Sequence, residues 1–160
     1  MEIKVPFYNI LNMFLTGLVF IGGCLVIFPD TAVALFNSDI IENLGAGPEI
    51  VVTVCTFAVA YEVGLIINRT GSVVLEPLLI PFNDNYTLFN QKKKEYPIMN
   101  TLSREYALSR TGVVLFLSLL ILSAVEKKCS LVAICAVITG IYFLSCRKHA
   151  GKIVELMQNG

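Results

Sequence analysis

The chain has one histidine, His149, and little charge, with only 15% of its 160 residues Asp, Glu, Lys or Arg. Soluble domains carry about a quarter. No serine or cysteine has a general base beside it on a helical face, and no glycine loop is built to cradle a phosphate, so the usual catalytic constellations are missing. The five cysteines, Cys24, Cys55, Cys129, Cys135 and Cys146, form no C-x-x-C and sit in apolar stretches. An odd number of thiols inside apolar runs argues against a disulfide framework, and such residues pack as small hydrophobes. The chain therefore reads as a non-enzyme with no metal site and no cofactor. A formal net charge of zero also removes the electrostatic case for direct nucleic-acid binding.

Apolar residues make up what is there. They are 56% of the chain, and mean hydropathy is +0.74. A small domain has too much surface to hide that much apolar area, so lipid is the expected solvent. Four runs are each close to the ~20 residues that cross ~30 Å of hydrocarbon as a helix. They give expected spans at about 5–28, 49–70, 105–125 and 129–147. Gly47-Pro48-Glu49 opens the second run, with proline and an acid where a helix start favours them. Only Glu126-Lys127-Lys128 separates the third run from the fourth, which predicts a tight antiparallel hairpin. The expected fold is all-α: an integral membrane four-helix bundle, with a loop at 72–104 and a tail at 148–160.

The basic residues orient it. Lys4, then Arg69, Lys92, Lys93, Lys94, Arg104 and Arg110, then Arg147, Lys148 and Lys152 fall on one side; Lys127 and Lys128 fall on the other. The connection from Thr31 to Gly47 has no Lys or Arg but carries Asp39 and Glu42. The positive-inside rule then places both termini and the long loop in the cytoplasm. On that reading the sequons at Asn68 and Asn85 are unused. Apolar sequence running on past Cys24 argues against a lipoprotein cleavage site there.

Glu62 stands out inside the second run, because an ionised side chain costs at least ~2.5 kcal/mol at the bilayer centre and less toward the interface. Arg69 and Glu76 follow at seven-residue steps, with Ser72 between them, so a second helix running on to Glu76-Pro77 would carry one polar stripe. Arg110, about one turn inside the cytoplasmic end of the third span, is the expected partner of Glu62, about one turn inside that end of the second. Arg69 and Glu76 are expected to meet Arg104, Glu105 or another subunit. A buried pair of this kind fixes helix register more often than it moves a substrate. Asn9, Asn12 and Thr16, the glycines at 17, 22 and 23, and the Ala136–Gly140 step are expected packing features.

Outside the lipid, Pro81 to Asn85 reads as a turn, Tyr86 to Glu95 as a short helix and Arg147 to Asn159 as another. Lys92, Lys93 and Lys94 read first as a solvated positive-inside anchor; with Arg147, Lys148 and Lys152 they are also candidate contacts for anionic headgroups or an acidic protein. The stretch from Tyr61 through Gly64-Leu65-Ile66-Ile67-Asn68-Arg69-Thr70-Gly71-Ser72 to Glu76, followed by Lys93-Lys94 and Leu102-Ser103…Tyr106…Arg110, resembles a group of small bacterial polytopic proteins. The membrane component of the two-part Kiwa anti-phage system is one of them. The resemblance covers about the central third of the chain. It implies an inner-membrane homo-oligomer that binds a cytoplasmic effector and responds to phage at the envelope. Residues and resemblance together suggest a membrane scaffold or sensor that recruits a cytoplasmic protein. The alternatives are an oligomeric pore lined by the polar stripe and a small proton-coupled transporter using Glu62.

Overall fold

Each apolar run folds as one long helix, and prolines set several of the starts. The computed structural model describes residues 7–36, 48–79 and 86–158. They form α1 (Phe7–Ile27), α2 (Pro29–Phe36), α3 (Pro48–Val74), α4 (Glu76–Leu79), α5 (Tyr86–Glu95), α6 (Ile98–Val125) and α7 (Cys129–Gln158), with no strand among the described residues. Pro29 and Pro48 begin their helices, where a missing N–H leaves no bond unmade, and Pro97 caps α6. α1, α3 continuing into α4, α6 and α7 are long and apolar enough to cross a membrane. The chain is an all-α four-helix membrane bundle.

Two expected boundaries move. The apolar windows end near 105 and 147, but α6 begins at Ile98 and α7 runs on through the expected tail helix to Gln158. At 1.5 Å per residue these helices are about 42 and 45 Å long, well beyond the ~30 Å of hydrocarbon. The expected helix from Tyr86 to Glu95 is α5. α2 lies partly in a stretch read as plain connection. Asp39, Glu42, Lys4 and the expected turn at 81–85 lie outside the described residues.

Burial identifies the centre of the bundle. Half of the apolar window of α6 is covered by protein, against 17% for α1 and for α3 and 11% for α7. α6 is therefore the core helix, with the others around it. Ile27, Ile67, Leu115, Leu119 and Cys135 pack together in mid-bundle. Met99, Leu102, Tyr106, Cys146, Ala150 and Ile153 form a second cluster at the end richest in Lys and Arg, here called the basic end, with Phe89 of α5 packed on it. The lengthening of α6 and α7 thus builds an ordered cap beyond the apolar zone.

Small residues set the helix spacing. A Cβ on Gly17 would lie 1.7 Å from the Ala60 carbonyl oxygen, and one on Gly64 would lie 1.7 Å from that of Met13. α1 and α3 therefore touch backbone to backbone. The expected role of Gly17 holds, and Gly64 joins it. Gly23 meets only the flexible end of Leu119, while Gly22 and Gly140 face open space and Ala136 is exposed. Those last three do not pack helices within the chain. α6 and α7 are held by a Phe116–Tyr142 ring stack at 5.7 Å and by Ser109 Oγ 2.9 Å from Ser145 Oγ.

The hairpin between α6 and α7 forms as expected. Lys127 has φ 56°, and its N–H donates to Ala124 O while that of Lys128 donates to Ser123 O. This is the paired bonding of a Schellman helix end, whose left-handed residue is usually glycine. Lys127→Gly should stabilise the protein by about 0.5–1 kcal/mol, since a Cβ in that region is strained. A midpoint rise of roughly 2 °C on thermal unfolding in detergent is the expected reading; a fall would show that the strain is not released.

Candidate functional site: a buried arginine cluster at the basic end

Pro77 sets up the cluster. It has no N–H to give the Val73 carbonyl, and its ring crowds that carbonyl. The helix breaks at Leu75, although Leu75 N–H still donates to Gly71 O and Leu79 N–H to Leu75 O. The break comes just before Glu76 rather than after it, and it allows that carboxylate to face the bundle. Glu76 Oε2 there accepts from Arg110 Nη1 at 2.5 Å and from Ser72 Oγ at 2.9 Å.

Arg110 is the buried member, with 9% of its side chain exposed against 40% for Glu76. It passes over Gly71, where a Cβ would stand 3.1 Å from its Cγ. Its guanidinium lies 5.5 Å from the Tyr106 ring centre, a cation–π arrangement. The next residue of α6, Thr111, shares its hydroxyl proton between Ala107 O at 2.8 Å and Asn68 Oδ1 at 3.0 Å. These polar contacts join α6 to α3 near the basic end.

The expected Glu62–Arg110 pair is not present. Arg110 lies beside Gly71, nine residues along α3 from Glu62, or about 13.5 Å at 1.5 Å per residue. Each sits about one turn inside its apolar run, but run length does not fix the register between helices. Ala60, Gly64, Ile67 and Gly71 are the buried face of α3. Glu62 is half a turn away from them and exposed, and so is Arg69. The expected single stripe therefore divides: Ser72 and Glu76 turn to the bundle, while Glu62 and Arg69 face out among exposed Val59, Ile66 and Val73.

The other expected residues are spread over the basic end. Arg104 is exposed on α6 and forms no ion pair with Glu76. Glu105 approaches His149 Nδ1 at 3.3 Å, out of line for a hydrogen bond. Lys93 lies over the Phe89 ring at 5.8 Å. Lys94, Arg147, Lys148 and Lys152 are exposed, and the side chain of Lys92 lies outside the described residues.

Among the described residues, no three His, Cys, Asp or Glu side chains are grouped to hold a metal ion. The cluster can lock two helices together, and it keeps a fixed positive charge under cover. Sequence reading missed Asn68, Thr111 and Tyr106 as its neighbours. Asn68 lies one residue before Arg69 in the quoted motif, and helical spacing puts it near the face of Gly64 and Gly71 rather than that of Arg69. Compared with known proteins, the chain matches no family model, no curated protein and no solved structure.

Proposed function

We propose that this protein is a membrane-embedded scaffold or sensor subunit that assembles with copies of itself and presents its basic end to a cytoplasmic protein. One observation carries the proposal: Glu62 is exposed on the outer face of α3, among Val59 and Ile66 and about one turn inside the apolar run. A carboxylate facing lipid at that depth is costly, and within the protomer nothing covers it. A second copy would. Arg69 lies on the same face seven residues on, and its side chain leans back toward the helix start. Copies related about the membrane normal would cover both side chains at one interface, each at its own depth.

The orientation rests on the charge count, ten of twelve Lys and Arg at or beside one end, with the positive-inside rule placing that end in the cytoplasm. The cap there has its own core and displays Lys94, Lys148 and Lys152, which suit an acidic protein surface. The likeness of the Tyr61–Glu76 stretch to the membrane component of a two-part defence system supports a soluble effector in bacterial anti-phage defence as that protein.

The test is assembly state. The wild-type chain should run as an oligomer by native mass spectrometry from mild detergent, and Glu62→Leu should shift it mostly to monomer without lowering its helix content. A wild-type chain that is monomeric in both detergent and nanodiscs would remove the proposal. The exposed Glu62 also favours a second reading, since a ring of such carboxylates around an axis would line a cation pore. Conductance in planar bilayers, abolished by Glu62→Gln, would select it.

A further inference from the structure

The basic end also holds a cleft that the Arg110–Glu76 contact does not fill. It opens where α1 begins, between α3, α5 and α6, with a volume of about 280 Å³. Lys93, Arg104 and Arg110 line it, and among the described lining residues none is acidic. Solvated anchor lysines need no such enclosure. Here a nine-tenths buried guanidinium is part of the wall.

Donors are in surplus. A guanidinium has five N–H groups, and Arg110 gives one bond to Glu76 while its buried Nε has no protein acceptor. The oxygen of Asn68 is engaged by Thr111, which leaves its amide nitrogen as a donor. Asn9 and Asn12 add further amides from α1. A second opening of about 660 Å³ shares Lys93 and Asn100 with the cleft, adds Lys94, and has no acidic residue among its described lining. Two adjoining openings of this kind suit a tetrahedral oxyanion carrying a substituent. Phosphate offers several acceptor oxygens to a guanidinium and to amides together, whereas a carboxylate offers two.

We infer that this cleft is a phosphate-binding site, which takes either the headgroup of an anionic phospholipid or a soluble phosphate. Its mouth includes Tyr8, in the first turn of a membrane-spanning helix, a level that both sources can reach. Basic recesses between membrane helices bind anionic headgroups in this way. The inference rests on the geometry of one protomer and does not require self-assembly.

The experiment uses the full chain in two arms. In the first, nanodiscs containing phosphatidylglycerol are compared with neutral phosphatidylcholine discs, and lipid retained on the released protein is counted by native mass spectrometry. In the second, inorganic phosphate and glycerol phosphate are titrated onto the protein in neutral discs. Saturable binding is expected in at least one arm, weakened roughly tenfold or more in Lys93→Gln/Arg104→Gln. Lys148→Gln/Lys152→Gln, which removes the same charge outside the cleft, should change it less than about twofold on the same scale. Arg104→Gln alone, at an exposed position, should act in the same direction if the double variant is poorly folded. Retention in the first arm assigns the headgroup, and binding confined to the second assigns a soluble phosphate. No binding in either arm, or equal weakening by the two double variants, overturns the inference.

Discussion

Exchanging the charges of Glu76 and Arg110, by Glu76→Arg with Arg110→Glu, should recover much of the stability that either substitution alone removes. Each single change leaves two like charges where Arg110 Nη1 now donates to Glu76 Oε2. Glu76→Gln is the gentler case. It leaves a guanidinium with 9% of its side chain exposed and no counter-charge. Removing one partner from a fully buried pair costs 3–5 kcal/mol, and the two-fifths exposure of Glu76 argues for the low end, about 3 kcal/mol. For a chain of this size that is a fall of roughly 6–12 °C in the unfolding midpoint. Glu62→Arg with Arg110→Glu should be no more stable than Arg110→Glu alone, because Glu62 is exposed on the opposite face of α3. Equal rescue by the two exchanges would contradict the register seen here.

That contrast shows where sequence reading stops. Spans, hairpin and short helix were legible because apolar run length, charge runs and turn residues act locally. Pro77 was also legible as a helix breaker. The partner of Arg110 was not, because it depends on how far α6 slides along α3. Gly71 decides that contact, and a glycine in a motif does not say which side chain will cross it. The cap was half legible: Arg147 to Asn159 reads as a helix with Ile153, Val154, Leu156 and Met157 on its apolar side. What they cover, Met99 and Leu102 on an α6 that starts early, lay in a stretch read as loop.

The second large effect belongs to the contact between α1 and α3. Gly17→Ala and Gly64→Ala should each destabilise the protein by about 3 kcal/mol or more, at or above the upper end for overpacked cores. The atom that a new methyl would meet is a carbonyl oxygen of the facing helix at 1.7 Å, not the tip of a side chain that can swing away. The two helices must part, and every contact between them loosens. Gly22→Ala, five residues from Gly17 on α1, is the control. Its Cβ would meet nothing within 4 Å, and alanine favours the helix by up to ~1 kcal/mol. Thermal unfolding in detergent should thus separate Gly17 from Gly22 by roughly 3–4 kcal/mol or more. Similar midpoints for the two alanine variants would show that α1 and α3 are not packed this closely.

The central place of α6 bears on how the protein is made. Ribosomes deliver α1 and α3 first, yet Glu76 waits thirty-four residues for Arg110, and Asn68 waits forty-three for Thr111. During synthesis the first two spans must therefore sit beside lipid or the insertion machinery without those α6 partners, Glu76 having only its local bond from Ser72. Only the arrival of the most enclosed helix, last but one in order of translation, closes the structure.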